Sequence, residues 1–262
     1  MLALLFYPFT GFAEPIPLDH FYTRLPTKTY NQIAHDPHLI NSNLFYTSMN
    51  QDRGEYQGHY LNGLQSYFEI FDAAKIDQMK YVDGVYVGLG FLGVDHREFD
   101  RLVKRVQKHV SCEVTRYDFH PQPGDTHFLV CRKGDLRLHV FQFEPKKPNP
   151  DPTRLSSAQR IRQRANYTKN PIADEILEIN LLANQEHAKV IGEFLTSLGW
   201  KKKGKESKWC FAKQCVNVRV ANQIQHPSFE KVVFSTTKNT KETFRYPHFE
   251  IKPKGNTIEL NF

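Results

Sequence analysis

The sequence predicts an α+β fold: repeated βαβββ units whose strands form curved mixed sheets, with helices packed on the outer faces. Three observations carry this. Aromatic and β-branched residues recur in short alternating runs, the pattern of half-buried strands. Two stripes at helical spacing interrupt them, Phe99/Leu102/Val103/Val106 and Ala188/Ile191/Phe194/Leu195/Leu198. The order strand, helix, three strands is readable twice before residue 145 and begins again near Ile172.

The first unit opens with the strand Pro17 to Tyr22. Pro26-Thr27 starts a helix that Thr27 can cap, with Tyr30, Ile33 and Ala34 on its apolar side. Leu44 to Thr47 and Glu55 to Leu61 read as strands around the turn residues Gln51 to Gly54. Asn62-Gly63 is a two-residue hairpin turn on its chemistry, which pairs Tyr60 with Gln65 and Tyr56 with Glu69. The fourth strand, Ser66 to Phe71, carries Glu69. By period-two alternation His20, Tyr22 and Arg24 share a face on the first strand, Tyr56, Tyr60, Tyr67 and Glu69 share one on the hairpin, and the two are expected to point into a common cup. A face of that polarity reads as a pocket wall, since side chains of this kind are buried only with partners. The bland alternative is a structural pairing of His20 and Glu69, with the tyrosines in the core and their hydroxyls satisfied.

The second unit runs from Gly84. A glycine-rich strand, Val85 to Val94, leads through Asp95 into a helix from His96 to His109. Strands follow at Cys112 to Phe119, His127 to Arg132 and Leu136 to Phe143, the last bearing His139. The stretch 146–171 reads as a basic linker with a short helix. Between Lys146 and Asn170 stand seven Lys and Arg against Asp151 alone, so this segment holds most of the chain's net charge of +7. The remainder is close to neutral, which argues against a broad nucleic-acid surface. Arg160, Arg162 and Arg164 either meet an acidic partner or form a solvated face. The third unit, 172–262, holds a strand from Glu175, a helix from Glu186 stopped by Gly199, and several short strands to Phe262.

Met1 to Phe12 is almost wholly apolar, and Gly11-Phe12-Ala13 has small residues suited to a cleavage site. Residues 1–13 are therefore expected to be a signal peptide or its remnant, and the protein periplasmic or secreted; failing that, it is cytoplasmic. No stretch of the mature chain is expected to span a membrane. The four cysteines fall as Cys112 with Cys131 and Cys210 with Cys215 if neighbouring strands pair, and in an oxidising compartment both pairs can be disulfides.

Leu18-Asp19-His20, Tyr67-Phe68-Glu69-Ile70 and the passage Glu186 to Trp200 resemble motifs of the vicinal oxygen chelate superfamily, which includes glyoxalase I, extradiol dioxygenases and bleomycin-resistance proteins. The N-terminal unit with Gly88 to Val94 also resembles a group of exported glyoxalase-like proteins of unassigned function. The resemblance implies that units 14–145 form one cup and that a divalent metal (Fe, Mn, Zn or Ni) sits on His20 and Glu69, with His139 third. It implies a small-molecule substrate bound by Tyr22, Arg24, Tyr56, Tyr60 and Tyr67, and Glu69 as catalytic base in lyase, isomerase or dioxygenase chemistry of glyoxalase type. The sequence departs from the pattern where the second unit's first strand offers Gly88 and Gly90 in place of a ligand. A metal-free small-molecule binder, or a degenerate non-catalytic domain, is the alternative.

Overall fold

The computed structural model of the chain describes residues 15–52, 56–79, 82–94, 96–117, 126–142, 170–204 and 206–262. The expected signal peptide, the turn at Pro121, the cap at Asp95, and the basic linker with Arg160, Arg162 and Arg164 lie outside these residues.

The first half contains β1 (Leu18–Leu25), α1 (Thr27–Ala34), α2 (Pro37–Asn41), β2 (Tyr46–Asp52), β3 (Tyr56–Asn62) and β4 (Tyr67–Asp72). It continues with β5 (Val87–Val94), α3 (His96–Val106), β6 (Cys112–Tyr117), β7 (Thr126–Lys133) and β8 (Leu136–Gln142). Its eight strands form one mixed sheet in the order β2-β3-β4-β1-β5-β8-β7-β6. β1 and β5, the first strands of the two units, lie antiparallel at the centre, and each pairs in parallel with its own unit's last strand. The α+β fold of βαβββ units is thus the one observed.

The stretch expected to hold one third unit folds as two. β9 (Ala173–Ala183), α4 (Gln185–Ser197), β10 (Lys201–Lys202), β11 (Lys208–Phe211) and β12 (Gln214–Val220) make one. β13 (Ser228–Thr236), β14 (Phe244–Tyr246), β15 (Phe249–Lys254) and β16 (Thr257–Asn261) make the other, which has no helix. The second sheet, β10-β11-β12-β9-β13-β16-β15-β14, repeats the order of the first. With no helical stripe between β13 and β14, the sequence offered little to mark the last unit as a unit.

One continuous core joins the sheets. Phe21 and Phe68 stack at 4.4 Å, and Phe229 meets Phe21 edge-on at 5.0 Å. Ile33, Leu102 and Phe194 bring α1, α3 and α4 into the same core. The N-terminal segment is tied to the second half. Ile16 N–H donates to Leu198 O, Trp200 Nε1–H to Ile16 O, and the Gln214 amide both accepts from and donates to the Leu18 backbone. Gly199, at φ +89°, closes α4 in a conformation that side-chain-bearing residues avoid. Both cysteine pairs are disulfides, each joining residues directly opposed across antiparallel strands.

Two local expectations are corrected. Thr27 does not cap α1; the cap position is Pro26, and the Thr27 hydroxyl donates to Asp72 Oδ1 at 2.6 Å. The β3–β4 hairpin does not turn on Asn62-Gly63. Asn62 opposes Tyr67 and Tyr60 opposes Glu69, so the register is displaced by four positions. The cause is tertiary: Leu64 N–H and Gln65 N–H donate to Ala173 O and Asp174 O, which holds the loop open against the start of β9. An even displacement keeps every side chain on its expected face.

Candidate functional site

On the first sheet, Phe21, Phe68, Leu89 and Leu138 point into the common core. Alternation sends their neighbours to the opposite face, where the backbone register sets them in two rows. One row reads Tyr60 (β3), Glu69 (β4), Tyr22 (β1), Gly88 (β5), Arg137 (β8), Arg132 (β7). The adjacent row reads Asn62, Tyr67, His20, Gly90, His139, Val130. His20 and Glu69, far apart in sequence, are diagonal neighbours on one face, and His139 joins them.

The glycines explain the geometry. A Cβ built on Gly90 would lie 2.0 Å from His20 Cε1, and one on Gly88 2.0 Å from the Tyr22 ring. The β1 rings therefore lean onto β5, into space that only glycine leaves. Glu69 leans the other way: its Oε1 lies 2.0 Å from where a Cβ of Gly58 would be, over β3. His20 stacks on Tyr67 at 4.4 Å, Tyr67 meets Tyr60 at 5.5 Å, and the His20 and His139 rings are 5.0 Å apart. The Tyr22 hydroxyl lies 3.5 Å from His139 Nδ1. Asp19, whose side chain is fully buried, places Oδ2 2.9 Å from His20 Nδ1.

All of this is covered. Tyr22, Tyr60, Tyr67 and Phe71 form a second apolar cluster with Ile76, Met79, Val82 and Val85 from the β4–β5 connection. His20, Glu69, Arg137 and His139 are each 5% exposed or less. Burial pushes the Tyr22 hydroxyl up to about 12; Arg137 works against that rise and Glu69 adds to it. Burial also holds His139 well below the ordinary imidazole range, with smaller electrostatic contributions from His20 and Arg137 beside it. At neutral pH Tyr22 is a donor and His139 an uncharged acceptor.

The residues do not fit the implied metal. Among the described residues no three His, Cys, Asp or Glu side chains converge closely enough to hold an ion. The Asp19–His20 contact is one that metal-held histidines also make; convergence is what fails. His20 swings to β5 and Glu69 to β3, and the glycines that seat the rings occupy the positions a further ligand would need. Of the expected substrate-binding residues, Tyr22, Tyr60 and Tyr67 are in the cluster. Arg24 is at its rim, its guanidinium 3.3 Å over the Tyr86 ring and 3.3 Å from Asp77. Tyr56 pairs with Asp52 rather than Glu69, and its side chain lies outside the described residues. Sequence reasoning missed Asp19 and Arg137. The parity of Gly88 and Gly90 against Tyr22 and His20 was the available clue to the seats.

No known family's profile matches the chain, and no curated protein does. Among solved structures, a hypothetical protein from Staphylococcus aureus is 9% identical at a TM-score of 0.51, covering 88% of this chain and 95% of its own. It shares the fold. A mutant 4-hydroxymandelate synthase from Streptomyces coelicolor is 12% identical at 0.48, covering 83% and 70%. A glyoxalase/bleomycin resistance protein/dioxygenase superfamily member from Vibrio splendidus 12B01 is 10% identical at 0.29, covering 49% and 99%. These last two align too loosely to carry an argument. The paired βαβββ architecture that the resemblance implies stands on the strand order itself. No helix among the described residues is long and apolar enough to cross a membrane.

Proposed function

We propose that the protein binds a small molecule, without a metal, on the polar face of the first sheet. One observation carries this reading: eight polar or aromatic side chains from four strands are gathered and buried on one face while the metal donors lean apart. Burying Glu69, Arg137, Asp19 and two imidazoles costs more than an apolar surface of the same shape would, so stability alone does not account for them. Glycines on β3 and β5 seat Glu69, Tyr22 and His20 close against the sheet, and the tyrosines give the face flat walls. Entry requires the cover of Ile76, Met79, Val82 and Val85 to lift, and an incoming apolar group would replace it. The glyoxalase-type metal enzyme is the rival.

The test is metal analysis of protein purified without chelator, followed by a thermal-shift screen of small polar aromatics. The expected result is no stoichiometric metal, and ligand-induced stabilisation that Gly90→Ala abolishes. Stoichiometric metal lost in His20→Ala would overturn the proposal in favour of the enzyme. We also propose export to an oxidising compartment, on the strength of two disulfides, no free cysteine, and the apolar leader ending at Ala13.

A further inference from the structure

Trp209 of β11 lies over Gly192 of α4 in the core, so its neighbours Lys208 and Cys210 face outward from the second sheet. Lys201 opposes Cys210, and the ladder ends with Lys203 N–H donating to Lys208 O at 2.8 Å. Lys201, Lys203 and Lys208 therefore leave the sheet on one side, their backbones roughly 5–7 Å apart. Lys202 opposes Trp209 instead, its ammonium 5.7 Å over that ring. Elsewhere in this half Lys189, Arg219, Lys231, Arg245 and Lys254 each have a carboxylate partner. Among the described residues Lys201, Lys203 and Lys208 have none.

From Lys208 the register continues in one row through Asn217 and Asn180 to Lys231. Each asparagine uses one amide N–H within the face, Asn217 on Asn180 Oδ1 and Asn180 on Glu178 Oε1, and keeps a second. A single lysine blunts an edge strand against further pairing. Three ammonium groups on one side, one of them on the interior strand β11, repel one another and exceed that use.

We propose that this face binds an acidic polysaccharide, with Lys201, Lys203 and Lys208 on its carboxylates and the row to Lys231 beneath the chain that runs on from them. This surface is separate from the cup on the first sheet. Basic clusters of this density are matched by polyanions. Single-stranded nucleic acid wants aromatic platforms for its bases. The rows Lys208-Asn217-Asn180-Lys231 and Cys210-Cys215-Glu178-Val233 hold none. A bilayer wants aromatic anchors at its interface, and Trp209 is turned into the core. A sugar polymer with regular carboxylates needs only cations and N–H donors, which this face supplies.

The experiment titrates fluorescein-labelled alginate oligomers, which carry one carboxylate per sugar, with the full chain at low and at high salt. Saturable binding that weakens with salt is expected. The variant Lys201→Gln/Lys203→Gln/Lys208→Gln should bind about tenfold more weakly, the effect of three exposed ion pairs. Arginine at the same positions should keep the affinity, and Arg160→Gln/Arg162→Gln/Arg164→Gln should leave it nearly unchanged. Hydrogen exchange with the oligomer bound should show protection over residues 201–211. That footprint decides the matter if the glutamine variant melts below the parent. No binding, a footprint elsewhere, or a stably folded glutamine variant that binds as tightly as the parent overturns the proposal. So does equal binding of neutral dextran, or a loss confined to the Arg160/Arg162/Arg164 variant. Single-stranded DNA or phosphatidylglycerol vesicles held more tightly than alginate by the same lysines overturn the choice of partner.

Discussion

Replacing His59 with leucine tests the burial argument on the far side of the sheet. Tyr60 faces the cup, so His59 beside it faces the other way, opposite Ile70 and Met49. It is 3% exposed, and neither ring nitrogen has a hydrogen-bond partner among the described residues. Burial, with a smaller contribution from the charge of His35, pushes its pKa down from 6.5 to about 4. A base whose folded pKa is depressed binds fewer protons folded than unfolded between those two values. Stability is therefore full above about 6.5, declines as pH falls, and stops declining below about 4. A gap of about two and a half units at about 1.4 kcal/mol each is worth about 3 kcal/mol over the window, of which about 2 is gone by pH 5. His59→Leu removes this loss and leaves no buried polar atom, so the variant should be at least as stable at pH 7 and more stable at pH 5. Chemical denaturation midpoints from pH 4 to 8 measure it. His139, depressed by the same physics, leaves a residual slope of the same sign, so the difference between the two proteins is the readout. A variant with the same pH slope as the parent, or one weakened by more than about 2 kcal/mol at pH 7, would show that His59 has a partner and refute the reasoning.

Gly90→Ala puts a methyl where the His20 ring lies and should cost about 1–3 kcal/mol. It should also shift the His20 resonances, whereas alanine at Gly204, which meets nothing within 4 Å but has φ +65°, should cost stability and leave them in place. Tyr22, with its pKa raised to about 12, holds its proton folded when it has lost it unfolded, so stability should fall as pH rises from 10 to 12. Tyr22→Phe should flatten that decline, as read by alkaline denaturation curves. Reducing Cys112–Cys131, 19 residues apart, should cost about 3 kcal/mol, and reducing Cys210–Cys215, 5 apart, about 2 kcal/mol, on loop-closure grounds. Serine variants of each pair, compared in denaturant, check the order; equal losses would point away from chain entropy.

What was readable in the residues was what depends on local periodicity. Period-two alternation put His20, Tyr22, Tyr67 and Glu69 on one face, and that survived a hairpin register displaced by four positions because four is even. Helical spacing located α3 and α4, and strand pairing brought the four cysteines together as expected. What depended on contacts between distant segments was not readable. The hairpin loop was held open by β9, more than a hundred residues away. Asp19 meets the ring of its own neighbour where the ladder with β5 slips beside it. The direction in which each side chain leans, His20 toward Gly90 and Glu69 toward Gly58, followed from which neighbouring strand lacked a Cβ. Alternation assigns a residue to a face with no knowledge of the next strand, but whether two side chains on that face converge is set by the strands on either side, and those are chosen by the fold as a whole.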